Sequence, residues 1–303
     1  MGDLSAKDIG AVLSLTGRAK RGGGGLNRAL AGKAVALIFE KSSTRTRLAC
    51  EVAVSRLGGK AVTSAGADLQ IGRGETMADS ARIFSRFVDA VCWRTTGHDR
   101  LEEFASGASI PVINTLSDLE HPCQILADLF TIRERFGAGG RWPSVAYIGD
   151  GGNNMAHSWM LGAAVLGMDL RLAYPQNYQP DHTVRGRALK LAKASGAKLT
   201  FTNEPAEAAK GADVLYTDVW VSMGQEAGRA ERLRQFRRYQ VNAKLLGLAS
   251  ARAVVMHCLP AHRDEEISAD VMDGKRSIVW DQAGNRLFSH MATLLWCFEG
   301  GTR

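Results

Sequence analysis

The side chains best suited to chemistry come in short groups. Ser42, Ser43, Thr44, Arg45, Thr46 and Arg47 follow one another without interruption. Their hydroxyls and guanidinium groups, with the backbone N–H groups of a helix N-terminus, make the donor set that a phosphate needs. Helix capping alone would use a single Ser or Thr. The stretch lacks Gly-x4-Gly-Lys, so a nucleoside triphosphate is not implied. Arg94 follows an apolar run and is uninformative by itself. His121-Pro122-Cys123-Gln124 opens a helix with Pro in its first turn, and His121 is open to a structural or a functional reading. Gly149-Asp150-Gly151-Gly152-Asn153-Asn154 approaches the dinucleotide pattern Gly-x-Gly-x-x-Gly. It ends in Asn154, however, and no acidic residue closes the next strand, so NAD is not expected. Its adjacent amides suit a polar organic ligand instead. Asp218 precedes a polar loop with Ser222, Met223 and Gly224. In His257-Cys258-Leu259-Pro260, a thiol at a strand end either faces a cleft or is simply buried. Arg286, expected ahead of the last helix in 281–286, adds a further cation.

These groups fall where a repeating rhythm of elements would put them. Residues 34–39 are continuously apolar, the mark of a strand covered on both faces. A polar loop is expected at 41–47, then a helix stopped by Gly58-Gly59. Strands are expected at 61–63, 89–93 and 110–114, with helices at 78–88, 98–106 and 122–136 between and after them. Gly-rich 137–143 reads as a domain boundary, after which the rhythm restarts. Strands are expected at 144–150, 170–175, 198–202, 213–220, 253–260 and 277–282. Helices are expected at 154–166, 184–195 and 205–210, and a final helix carries Leu287, Met291, Leu294, Leu295 and Phe298 on one stripe. The alternation predicts an α/β protein of two domains, each a parallel sheet flanked by helices, with ligands at the carboxyl ends of the strands.

The 303 residues suit two domains, and 45% hydrophobic with 23% charged residues excludes a disordered or fibrous chain. Five cysteines, at 50, 92, 123, 258 and 297, form no disulfide or CxxC pattern and suit a reducing compartment. The first residues lack a signal-peptide layout, and no stretch is apolar enough to span a membrane. The net charge of +7 indicates a general affinity for anions. Arg229, Arg232, Arg234, Arg237 and Arg238 are expected to line a solvated helix face. No nucleic-acid-reading motif or aromatic platform accompanies them, so nucleic acid is not an expected partner.

Taken in order, Ser-Thr-Arg-Thr-Arg at 43–47, His-Pro-x-Gln at 121–124, Asp-x-x-x-Ser-Met-Gly at 218–224, His-Cys-Leu-Pro at 257–260 and Asn-Arg at 285–286 resemble the ornithine carbamoyltransferase family. The likeness runs over nearly the whole chain. It implies a carbamoyl-phosphate-binding domain at 1–136, an ornithine-binding domain at 137–286, and an active site in the cleft between them. A C-terminal helix, 287–303, is expected to pack back on the first domain. By the same resemblance, Ser43, Thr44, Arg45, Thr46, Arg94, His121 and Gln124 hold carbamoyl phosphate, with Cys258, Leu259 and Arg286 completing that site. Gln70 reaches a neighbouring subunit's site, and Asn154, Asp218, Ser222 and Met223 hold ornithine. The catalytic residues are then Cys258, as proton acceptor, with Arg94 and His121 polarising the carbonyl. The resemblance also implies transfer of a carbamoyl group to ornithine to give citrulline, a cytoplasmic homotrimer, a role in arginine metabolism, and no metal or cofactor. His262, where many relatives carry Tyr, and Leu-Phe-Ser-His at 287–290 depart from the family pattern.

Overall fold

The computed structural model describes residues 1–66, 69–70, 74–221 and 228–301. The chain divides into two units, Asp3–Phe130 with Gly284–Arg303, and Thr131–Ala283 with Met1–Gly2.

The first unit is built on β1 (Ala34–Phe39), β2 (Lys60–Ala65), β3 (Ala90–Arg94) and β4 (Val112–Leu116), all parallel in the order β2-β1-β3-β4. Val35, Leu37 and Ile38 of β1 are fully buried, which is why this strand reads as unbroken apolarity. On one face, Val35, Leu37 and Cys92 pack with α2 (Thr44–Arg56) and with Met291, Leu294 and Leu295 of α12 (Val279–Phe298). On the other, Ile38, Val91 and Trp93 pack with α3 (Met77–Phe87) and α4 (His98–Gly107), where Trp93 meets Phe104 edge-on at 4.9 Å. The chain also contributes α1 (Ala6–Lys20) and α5 (Pro122–Phe136). Strand order reverses between β1 and β3, so a crevice opens where both strands end. The register sets Phe39 beside Arg94, which brings the 40–47 segment next to Arg94.

The second unit carries β5 (Val145–Ile148), β6 (Asp169–Ala173), β7 (Lys198–Thr202), β8 (Val214–Thr217) and β9 (Val254–His257), parallel in the order β7-β6-β5-β8-β9. Helices α6 (Asn154–Leu166), α7 (His182–Ser195) and α8 (Pro205–Ala209) connect the early strands. α9 (Arg229–Phe236), α10 (Ala243–Leu248) and α11 (Ala269–Met272) follow β8 and β9. Here the order reverses between β5 and β8, directly above Gly149–Asn154 and Asp218.

Two expectations need correction. The polar segment 41–47 is not wholly loop, because α2 begins at Thr44 with Ser43 as its N-cap. A capping hydroxyl followed by residues that tolerate the first turn starts the helix early. Residues 277–282 are not a strand. Ser277 makes one isolated bridge to Val255, and α12 already begins at Val279. The buried positions Val279, Gln282, Arg286 and His290 recur every three or four residues, and this helical period outweighs the short apolar run Ile278-Val279-Trp280. Arg286 therefore lies inside a helix rather than ahead of one.

Candidate active site

In the first unit, the Ser43 side chain accepts a hydrogen bond from the Thr46 N–H at 3.3 Å, closing the N-terminus of α2. Thr44 and Arg45 occupy the exposed first turn, so the positive end of the helix is presented with an unburied guanidinium beside it. Thr46 is buried, and its hydroxyl oxygen accepts from Arg286 Nη2 at 2.6 Å and from Arg94 Nη1 at 3.5 Å. One threonine thus holds two buried cations, from β3 and from α12. His121, just before α5, is also buried. Burial first, and then the positive charges of Arg286, Arg94 and His290, hold its imidazole well below its ordinary value. It is a neutral imidazole among these positive charges. Gln124, three residues on, donates from Nε2 to Asp128 Oδ1 at 2.8 Å, which orients its amide. Gln70 is exposed. Sequence reasoning missed Glu40. Its N–H donates to the Arg94 carbonyl, its carboxylate accepts from Thr95 at 2.6 Å, and it pairs with Arg100, so it clamps the ends of β1 and β3 together. The available signal was an acid standing between a buried strand and a basic segment.

In the second unit, Asp218 and Cys258 follow directly on β8 and β9, and the Cys258 thiol donates to Asp218 Oδ1 at 2.9 Å. The same carboxylate accepts from the Val219 N–H at 2.8 Å and from Asn153 Nδ2 at 3.2 Å. Burial pushes Asp218 up, against the hydrogen bonds it accepts from Cys258 and the Val219 N–H. Asn153 is built into this network: it caps α6 and accepts from Tyr147 Oη at 3.0 Å. Asn154 is the first, half-buried residue of α6. Ser222 and Met223 lie outside the described residues.

Behind Cys258 stands a pair that the sequence did not single out. His257 and Glu266 are both fully enclosed, with Nε2 3.1 Å from Oε1. His257 Nδ1 accepts from the Leu259 N–H at 2.9 Å, so the ring proton sits on Nε2 and points to Glu266. The His257 N–H donates to Gln282 Oε1 at 2.9 Å. Leu259 itself has a positive φ of 62° and is followed by a cis bond to Pro260. Ligand atoms of Asp218, His257 and Cys258 lie within 4.8 Å of one another, a set that could hold a soft cation, and His262, Glu265 and Glu266 form a second set.

The Gly-rich turn after β5 serves packing. A Cβ at Gly151 would lie 2.7 Å from the Tyr174 ring and from the Tyr178 carbonyl, so only glycine fits. The Gly152 N–H is occupied by Asp150 Oδ1 at 2.9 Å. Asp150 is in turn paired with Arg232, which also donates to the Trp220 carbonyl and stacks on Tyr178 at 4.6 Å. Arg232 thus departs from the expected solvated face, whereas Arg234, Arg237 and Arg238 are exposed as expected. Arg232 is largely enclosed, because a buried carboxylate needs a counter-cation.

Comparison with known proteins gives concordant matches. Residues 1–134 match the family model described as aspartate/ornithine carbamoyltransferase, carbamoyl-P binding domain, and residues 143–297 match the model for the Asp/Orn binding domain. The ornithine carbamoyltransferase of Mycobacterium ulcerans is 49% identical over 299 residues, covering 99% of this chain and 97% of its own. The structure of ornithine carbamoyltransferase from Pyrococcus furiosus superposes with a TM-score of 0.92 at 46% identity, covering 99% of this chain and 96% of that one. The anabolic ornithine carbamoyltransferase from Campylobacter jejuni gives 0.91 at 39% identity, with 98% and 97% covered.

Proposed function

The chain belongs to the aspartate/ornithine carbamoyltransferase family, and we propose that it transfers the carbamoyl group of carbamoyl phosphate to the side-chain amine of L-ornithine, giving L-citrulline and phosphate. The observation that carries this reading is the set of donors around Thr46. Two buried guanidinium groups, a helix N-terminus and a neutral imidazole converge in one unit; Arg94, the start of α2 and His121 lie in the stretch that matches a carbamoyl-phosphate-binding model, and Arg286 in the stretch that matches the Asp/Orn binding model.

In this reading, Ser43, Thr44, Arg45 and Thr46 hold the phosphate at the start of α2, where the helix dipole and forked cations stabilise the charge that grows as phosphate leaves. Arg94 and His121 donate to the carbonyl oxygen as it becomes an oxyanion. An uncharged His121 does so without adding a third cation to the pair already there. Gln124 and Arg286 complete this set. Ornithine is held by Asp218, Asn154, Ser222 and Met223. A free alkyl ammonium titrates near 10.4, so reaching the neutral amine at pH 7 costs about 4.6 kcal/mol unless the site assists. Asp218 provides the charge partner for the ammonium, and as the amine attacks, the Cys258 sulfur takes its proton while the thiol's own proton passes to Asp218 Oδ1, so that the pair gains one proton.

We further infer a homotrimer in which Gln70 reaches the neighbouring subunit's site. Leu48 and Val52 on α2, Val62 on β2, and Ile83 and Phe87 on α3 leave apolar surface exposed, which supports an assembly. The five free cysteines support a reducing compartment such as the cytoplasm, and the reaction itself belongs to arginine metabolism. Among the described residues, no helix is long and apolar enough to cross a membrane.

The test is direct. Purified protein given carbamoyl phosphate and ornithine should form citrulline, with ornithine preferred over putrescine and acylated ornithine in kcat/KM. No citrulline at high protein concentration overturns the reading, and a better acceptor in the panel reassigns the substrate.

A further inference from the structure

The four elements that deliver the phosphate-binding side chains each deliver a second group one layer deeper. Thr46 and Cys50 are four residues apart on α2, so they share a helix face, and Arg286 and His290 repeat that spacing on α12. The helices meet in two rungs. In the upper rung Arg286 Nη2 donates to Thr46 at 2.6 Å, and in the lower one Cys50 Sγ lies 3.8 Å from His290 Nδ1. Cys92 lies two residues before Arg94 on β3, and Cys123 lies two residues after His121 at the start of α5. Cys50, Cys92, Cys123 and His290 are all buried.

We propose that Cys50 and His290 form a buried ion pair beneath the anion-binding end of this unit and act as positioning residues for it, His290 through His121 and Cys50 through Arg286. The proposal rests on the reading that His121, Arg94 and Arg286 hold carbamoyl phosphate. Charges from every packed element bear on the pair. His290 on α12 is faced by Cys50 from α2 and by Cys123 from α5. Burial alone would discharge it, but the two sulfurs outweigh burial and lift it to about 10. Cys50 is faced by Cys92 from β3 and by His290 and Arg286 from α12. The hydrogen bond from Cys92 and the two positive charges bring its thiol well below the usual range despite burial. Cys92 is correspondingly pushed up, by Cys50 above all. His121 is faced by Arg286 and His290 from α12 and by Arg94 from β3. A charged His290 therefore opposes a charge on His121, while the Cys50 anion anchors the helix face that carries Arg286. A buried ion pair is weak as a source of stability, so this one is to be judged by its effect on the groups above it.

The experiment joins a titration to a pH profile. Histidine-selective NMR of the wild-type protein should show one buried imidazole still protonated at about pH 8, and Cys50→Ser should discharge that resonance. In His290→Gln the cation facing His121 is gone. His121 then takes up a proton more easily, and the acidic limb of kcat/KM for carbamoyl phosphate should move up by about 0.5–1 pH unit. Cys50→Ser should move it the same way, and the double variant no further than either single one. If all wild-type imidazoles are neutral at about pH 8, the pair does not exist, whatever the variants do. If both single variants keep the wild-type limb, the pair does not act through His121. A failure of the substrate reading is separate, since wild-type protein would then show the charged imidazole but no turnover.

Discussion

Thr46 is a small residue with a large electrostatic duty. Its hydroxyl oxygen is the acceptor for two guanidinium groups that are 9% and 4% exposed. Thr46→Val keeps the shape and removes that acceptor. Loss of hydrogen bonds to charged donors costs about 1.5–3 kcal/mol, so kcat/KM for carbamoyl phosphate should fall by about 10- to 100-fold in steady-state assays. A wild-type value would mean that the cations are placed by something else. His121 yields a second prediction. Burial and the neighbouring cations lower its native pKa, so on acidification the unfolded chain takes up the proton before the native one does. Its contribution to stability is full above the unfolded value of about 6.5 and is lost as pH falls below it. The melting midpoint should drop through that window, while kcat/KM stays level across it unless another group titrates. In the other unit, Cys258→Ser should lower turnover and leave the KM for carbamoyl phosphate nearly unchanged. Unaltered turnover at every pH would remove the thiol from proton transfer.

Among the elements, what was legible in the sequence is what depends on pattern. The buried strand at β1, the extent of α5 and the strand-end placement of Arg94, Asp218 and Cys258 all follow from short-range periodicity and punctuation. What was not legible depends on partners far along the chain. Arg232 reads as one of several surface arginines until Asp150 is found 82 positions away. His257 and Glu266 read as an ordinary histidine and an ordinary acid until both prove fully buried. The run before Arg286 reads as a strand because three apolar residues carry no phase, and only the long register of α12 settles it. The Arg232 contact makes a prediction about an element. Arg232→Met would unfasten α9 from the turn after β5 and leave the Asp150 carboxylate buried without its cation, at a cost of about 3 kcal/mol. Burial already raises Asp150, and losing Arg232 raises it further, so the native state binds its proton more readily than the unfolded state. The deficit in melting midpoint should therefore be larger at pH 8 than at pH 5. An equal deficit at both would mean that the loss is one of packing on Tyr178 and Phe236 alone.

At the scale of the molecule, the net charge of +7 separates into parts with different work. Arg94 and Arg286 both donate to the Thr46 hydroxyl. Arg229, Arg232, Arg234 and Arg238 are each paired with a carboxylate, from Glu265, Asp150, Glu231 and Glu204 respectively. The late basic run is thus largely neutralised locally and makes a poor polyanion surface. The exposed apolar residues have no such account within the chain. Leu48 and Val52 stand four apart on α2, and Ile83 and Phe87 four apart on α3, so each helix turns one apolar face to solvent, with Phe87 78% exposed. A patch of this kind marks a contact with another molecule, and a second copy is the partner that the trimer reading requires. Leu48→Glu with Phe87→Glu should leave the circular dichroism spectrum intact and shift the sedimentation mass from three chains towards one. If Gln70 serves the neighbouring subunit, the dissociated variant should lose turnover as well. Mixing Gln70→Ala chains with Arg94→Ala chains should then restore part of the activity that each lacks alone, because some sites in the hybrid receive an intact residue from each chain. A single-chain mass for fully active wild-type protein would end the trimer proposal. Hybrids that never exceed the sum of their parents would end the sharing of sites while leaving the assembly standing.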